Sequence, residues 1–435
     1  MDASRGTEAT ADSSTTVTLT SRAVPASDQL FERILAADES PLAYWESPSG
    51  DRLAGVGAAA TIREPGFDQI VRKADQHFTT LEYTGPPEAR PRMIGGRSFT
   101  ENTRGPPWAT FPSGYFFLPR HLVVAQDDST YHTVTAAPGE VDDAIDEVEG
   151  RIPTEEREPL TITDTEPYPS RAAWNTSVTK VGDRIATGRI KKAVLAHSLA
   201  VSLNRPPRAE EAVERLRRLN PGCFINLIRP RSQAMFLAAT PERLVSREGT
   251  AISTAALAGS MRRGESDEDD DRLSNALQSD GKESHEHALV VDSIEADLQS
   301  LGAVVAIKDR CVKRLRSVQH LYTPIEATHD DPPHVLEAVD ALHPTPAVGG
   351  LPRDDALALI EEIETFDRGW YASPYGWFDE NGDGSFTVGI RSGLIDGEQG
   401  HVFAGAGIVD GSEPADEWEE VQWKYRPMLD ALHDQ

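Results

Sequence analysis

The chain predicts an α+β fold, and three features of its sequence carry that prediction. Apolar, β-prone runs follow one another and are interleaved with helical stretches, without the strand–helix–strand regularity of a doubly wound sheet. The helical stretches repeat their apolar residues at helical spacing. No apolar run approaches the roughly 18 residues needed to cross a bilayer. With 435 residues the chain can bury a large core.

Residues 1–26 are rich in Ser, Thr, Ala and acidic residues, and they predict a disordered tail. They lack a basic start followed by an apolar stretch, so a secretory signal is not expected and a cytoplasmic location is. Between 27 and 137, RMIGGRSF, TFPSGYFFLP and HLVVAQ predict strands joined by Gly/Pro turns. Residues 138–172 are acidic and contain several prolines, which suggests a linker-like excursion within an N-terminal part spanning 27–172. Over residues 173–432 the pattern tightens. Helical spacing covers 171–189, and the run RIKKAVLAHSLAVSL that follows predicts a long strand. The helix EEAVERLRRLN stops at Pro221-Gly222, before the strand CFINLIRP and the hairpin MFLAATPERLVSREGTAISTAAL. One long helix is predicted from Asp269 to Leu301. After the loop HPTPAVGGLP come the helix DDALALIEEIETF, the strands SFTVGIRSGLI and HVFAGAGIV, and a last helix, EPADEWEEVQWKYRPMLDAL.

The formal net charge is -28, and only 8 of the 43 basic residues are lysines. Such a surface stays hydrated in high salt, where a Debye length of about 3 Å at 1 M makes like-charge repulsion cheap. A halophilic source is the expectation. The same charge argues against a nucleic-acid partner. It also means that neighbouring glutamates often coincide by chance. Cys223 and Cys311 lack metal-ligand spacing, and a disulfide framework is not expected.

Two pairs of carboxylates and two isolated residues carry chemistry. Glu417, Glu420 and Lys424 are spaced i, i+3, i+7, which at about 100° per residue puts them within about 60° of helical arc. By spacing alone they fit a solvated helix face as well as a site. Glu283 and Glu286 form a second i, i+3 pair. Two helices each offering carboxylates suit a hard cation such as Mg²⁺, while the flanking His285 and His287 do not make a di-iron pattern. Lys192 lies in an otherwise apolar strand, where alternation turns Lys191 the other way; it is either a structural cation or a buried base. Glu242, in the turn TPER, reads alone as a turn residue.

The stretches IKKAVLAHS, ATPERLV, ALAGSMRRG, HEHALVVDSI, LHPTPAVGGLP, ETFDRGWYASPYGWFD, FTVGIRSG and VFAGAGIVDGSEPADEWEEVQWK resemble, in this order, the chorismate-utilising enzymes. FDRGWYASPYGW looks most like isochorismate synthases of the menaquinone branch. The resemblance implies two large antiparallel sheets packed face to face, with helices outside and the active site between the sheets. It implies that Mg²⁺ is held by Glu286, Glu417 and Glu420 with Glu283 close by. It also implies that Tyr371, Arg391 and Lys424 surround the carboxylates of chorismate. Thr240, Ala258, Gly259, Ser260, His320 and Thr345 fall at pocket positions, and the amides of Gly405, Ala406 and Gly407 add donors. Lys192 becomes the general base and Glu242 the general acid for water addition at C2 with loss of the C4 hydroxyl. Aminodeoxychorismate synthases carry a nucleophilic lysine where Ala258 stands, and anthranilate synthases a glutamine where Lys192 stands. The resemblance therefore implies isochorismate formation with no amidotransferase subunit, with a salicylate synthase as the alternative. A non-catalytic relative would be expected to have lost Lys192, Glu242 or a metal glutamate; all are present. Ala256, Ala327 and Val348 depart from the family's Pro, Gly and Leu, which bears on pocket shape.

Overall fold

The strand Gly114–Gln126 organises the molecule, because two runs of strands diverge from it. One run passes through Arg92–Arg97, Pro374–Asp379, Gly384–Val388, Arg243–Glu248, Ala251–Arg262 and Val318–Thr328. The other passes through Arg52–Ile62, Leu42–Glu46, Phe224–Arg229, Met235–Thr240, Ser392–Asp396, Gln399–Ile408 and Lys192–Leu203. The computed structural model describes residues 18–101, 105–147, 158–231, 233–316 and 318–434. Among the described residues 21 strands form one hydrogen-bonded network. Its pairs are antiparallel except for Leu19–Pro25 beside Leu81–Thr84. The fold is α+β, as expected, and the two sheets share a strand.

Alternation sorts most of the strand side chains into two large cores, with a small third cluster around Val134 and Ala136. In Leu42–Glu46, Ala43 and Trp45 join a cluster that includes Phe116, Phe236, Val245, Ile252 and Phe378 from both runs. Leu42 and Tyr44 join a second cluster with Trp174, Val181, Leu216, Leu359 and Met428, which come from helices. Helices thus cover the outer face of the second run. Trp108 stacks on Phe403 at 5.3 Å and donates its indole N–H to the Asp367 carbonyl. A side chain at Gly369 would meet the Trp108 ring and would have to adopt φ +51, which ties the N-terminal WATFPSG stretch to FDRGWYAS.

The structure departs from the sequence reading in four places. Leu19–Pro25, the end of the expected tail, is a strand paired with Tyr131–Ala136, whereas residues 1–17 lie outside the described residues. Leu19 and Ser21 are buried there, and averaged composition hid this short alternation. In the linker-like segment, Val141–Glu147 is a helix and Ile162–Tyr168 an edge strand, while residues 148–157 lie outside the described residues. The side chains of that edge strand are mostly exposed, which is why it reads as polar linker. The predicted long helix is two helices, Asp267–Ser279 and Gly281–Ser300. Asp280 separates them and caps the second, accepting from the amides of Lys282 and Glu283. Finally, SFTVGIRSGLI is two strands broken around Arg391, whose φ is 50°.

Candidate active site

Strand alternation places the first functional group. Ala193 and Leu195 enter the helix-covered core, so Lys192 and Val194 face the other way, into a cavity of about 330 Å³. Lys191 is exposed. On the neighbouring strand, a side chain at Gly407 would come within 2.9 Å of the Lys192 Cε, and one at Gly405 within 2.7 Å of the Tyr371 hydroxyl. These two glycines are the space that the lysine and the tyrosine occupy. Ala406 points into the opposite core, so only its backbone is near the site.

Lys192 is buried and its Nζ lies 2.6 Å from Oε1 of Glu286. Burial pushes the Glu286 carboxyl up, but the Lys192 ammonium outweighs it and holds the group below the usual range. Lys424 bridges Oε1 of Glu420 at 2.6 Å and donates to the Gly405 carbonyl at 2.8 Å. Glu283 Oε2 accepts from the Ser260 amide at 2.9 Å, beside Gly259, whose φ is +77. Glu283, Glu286, Glu417 and Glu420 all line the cavity. Among the described residues no three Asp, Glu, His or Cys side chains are already gathered into an ion-holding group; Glu286 and Glu420 are paired with Lys192 and Lys424.

The carboxylate set nevertheless fits a cation. Burial pushes Glu283 and Glu417 up to about 7, and the adjacent carboxylates Glu286 and Glu420 push in the same direction. Oε2 of Glu417 is buried without a hydrogen-bond partner. Clustered negative charge with an orphaned oxygen, built from oxygen donors alone, suits a hard divalent ion.

Glu242 is buried in the wall of the same cavity. Its amide donates to Thr240 Oγ1 at 3.2 Å, and the Thr345 hydroxyl donates to its Oε1 at 3.4 Å. Thr240 and Thr345 therefore act on Glu242 and do not line the cavity themselves. Burial pushes the Glu242 carboxyl up to about 7, only partly offset by Thr345 and the cations Lys192, Lys424 and Arg391.

Arg391 is fully buried in the cavity wall and donates to Nε2 of His320 at 2.7 Å. A guanidinium can only donate, so Nε2 accepts and the Nδ1–H of His320 donates to Ser260 Oγ, 2.9 Å away. Burial and the nearby Arg391 hold His320 well below the usual histidine range, so the ring is neutral. A neutral histidine adds no counter-charge, and among the described residues no carboxylate bridges Arg391, so its guanidinium is available to an anion in the cavity.

A scan against family models matches residues 5–433 to "Chorismate binding enzyme". The chain belongs to the chorismate-binding enzyme family. It is 34% identical over 411 residues to the isochorismate synthase MenF of Bacillus subtilis, covering 89% of this chain and 87% of that one. It is 36% identical over 413 residues to the salicylate biosynthesis isochorismate synthase of Pseudomonas aeruginosa, covering 91% of this chain and 85% of the relative. Among solved structures it matches the menaquinone-specific isochorismate synthase MenF from Escherichia coli with a TM-score of 0.83 and 28% identity, over 96% of this chain and 95% of that one.

In this chorismate-binding enzyme the structure brings nearly every residue singled out by sequence to one cavity, including Ala258, Gly259, Ser260, His320 and Tyr371. Of the three departures from the family pattern, only Val348 lines the cavity; Ala256 and Ala327 are core. Sequence reasoning missed Lys282 and Trp423 in the wall, and it missed the pair behind it, Glu364–Arg368. Arg368 stands inside the quoted motif ETFDRGWYAS, which was the available signal. It donates to the carbonyls of Val194 at 2.6 Å and Val348 at 2.8 Å and to Glu364, while Glu364 accepts from the Ala196 amide at 2.7 Å. The pair fastens the Lys192 strand to the loop carrying Thr345. Glu364→Ala leaves a buried guanidinium unpaired and is expected to destabilise the fold by about 3–5 kcal/mol, read in denaturant melts.

Proposed function

We propose that the chain converts chorismate to isochorismate. What carries this reading is a buried lysine and a carboxyl group pushed up to about 7 in the wall of one cavity, next to a buried arginine that no carboxylate bridges among the described residues. Arg391, with Lys424, takes the carboxylates of the substrate and fixes the ring. Once the Lys192 ammonium has released a proton to solvent, its free amine takes a proton from the water that adds at C2, while the C4 hydroxyl departs with a proton from Glu242. One water enters and one leaves, so the product is an isomer. A Mg²⁺ ion held by Glu286, Glu417 and Glu420, with Glu283 beside it, supplies charge neutralisation at the ring carboxylate when bound.

The excess of acidic residues supports a halophilic source, and the absence of a membrane-length apolar helix among the described residues is compatible with work in the cytoplasm. Lys192 in place of the ammonia-using enzymes' glutamine supports a chain acting without an amidotransferase subunit. The likeness to the menaquinone-specific enzyme supports a role in menaquinone synthesis.

Incubation with chorismate and Mg²⁺, followed by product separation, tests the reading. Isochorismate is the expected product; salicylate with pyruvate would assign the salicylate synthase reaction, and unchanged chorismate would overturn the proposal. Glu417→Gln is expected to raise the Mg²⁺ concentration for half-maximal rate by about 10-fold or more, read in a metal titration.

A further inference from the structure

A second cavity, of about 440 Å³, adjoins the first, and Trp423 lines both. Its wall carries four arginines, Arg262, Arg263, Arg316 and Arg426, against two carboxylates, Glu265 and Asp430. In a chain with 71 acidic and 43 basic residues, this local excess of positive charge runs against the background. Two of the arginines are already engaged: Arg263 bridges Asp270 at 2.7 Å, and Arg262 stands 3.9 Å from Asp269. Among the described residues Arg316 makes one long bond, 3.4 Å, to the Leu219 carbonyl. Arg426 is exposed on the last helix, three residues beyond Trp423, and no carboxylate bridges it among the described residues.

The geometry points to a second binding site, for a ring dicarboxylate, and we propose that it captures the doubly negative substrate outside the catalytic cavity. The inference deepens the reading given above and rests on it for the identity of the substrate. A dianion approaching a protein of net charge -28 meets long-range repulsion. In the high salt that suits such a surface the Debye length is about 3 Å at 1 M, so charges in contact with the anion decide where it settles. The guanidinium groups of Arg316 and Arg426, which no carboxylate bridges among the described residues, offer donors to the carboxylates, and the indole of Trp423, with Leu219 and Pro427, offers an apolar wall to the ring.

The test uses the full chain and an Arg316→Gln/Arg426→Gln double variant. Both arginines are exposed, and matching melting temperatures would show that the fold is kept. Calorimetric titration with isophthalate, an unreactive ring dicarboxylate, is expected to show one bound equivalent fewer in the double variant. With chorismate at about 1 M salt, kcat/KM is expected to fall about 5- to 10-fold with kcat unchanged, because the guanidinium contacts are direct. Equal isophthalate stoichiometry, or equal kcat/KM, overturns the proposal. The titration needs no turnover, so an unaltered chain inert toward chorismate would sink the functional reading while leaving this one readable.

Discussion

Lys192→Gln is expected to lower the rate of isochorismate formation by a factor of about 10²–10⁴, the range associated with losing a positioned general base. Glutamine keeps a donor that can reach Glu286 but has no lone pair basic enough to take a proton from water. The effect should fall on kcat far more than on KM, because Arg391 and Lys424 remain to hold the carboxylates of the substrate. The fold is a necessary control. Lys192 and Glu286 lie 2.6 Å apart with side chains 2% and 14% exposed, so removing the cation outright strands a buried carboxylate. For that reason Lys192→Ala is expected to cost about 3–5 kcal/mol of stability, and the glutamine variant less. A kcat that survives the glutamine change within a few-fold would remove Lys192 from the chemistry.

Strand and helix periodicity made most of the elements legible, because the buried faces repeat at two or about 3.6 residues. What the sequence hid are the places where one residue interrupts a period. Asp280 divides the Asp267–Ser300 stretch, and its apolar spacing carries on across the break, so the cap was masked. Arg391 adopts φ 50°, a conformation that residue type does not announce. Among site residues, Lys192 and Glu242 were visible as charged groups in apolar or turn settings. Their partners were not, since the Glu286 and Thr345 contacts join residues about a hundred positions apart. The carboxylates were legible as a set. The i, i+4 spacing made the Glu420–Lys424 pair legible as well, whereas Glu286 with Lys192 joins a helix to a strand 94 positions away and was not.

Glu242→Gln is expected to reduce kcat by about 10²–10⁴ and also to remove one limb of the pH profile, which a merely structural change would leave in place. The sign follows from the role. A general acid works in its protonated form, and burial first of all pushes this carboxyl up to about 7 against the weaker pull of Thr345 and three cations. The protonated fraction therefore falls as pH rises through about 7, and the rate of the unaltered enzyme should decline on the alkaline side of neutrality. A glutamine does not titrate, so the residual rate of the variant should be flat across that interval. Thr345→Val supplies a graded check. The Thr345 hydroxyl donates to Oε1 at 3.4 Å and favours the ionised form; its removal should move the alkaline limb to higher pH while leaving the carboxyl in place. A limb that stays put in both variants would mean that some other group delivers the proton to the departing hydroxyl.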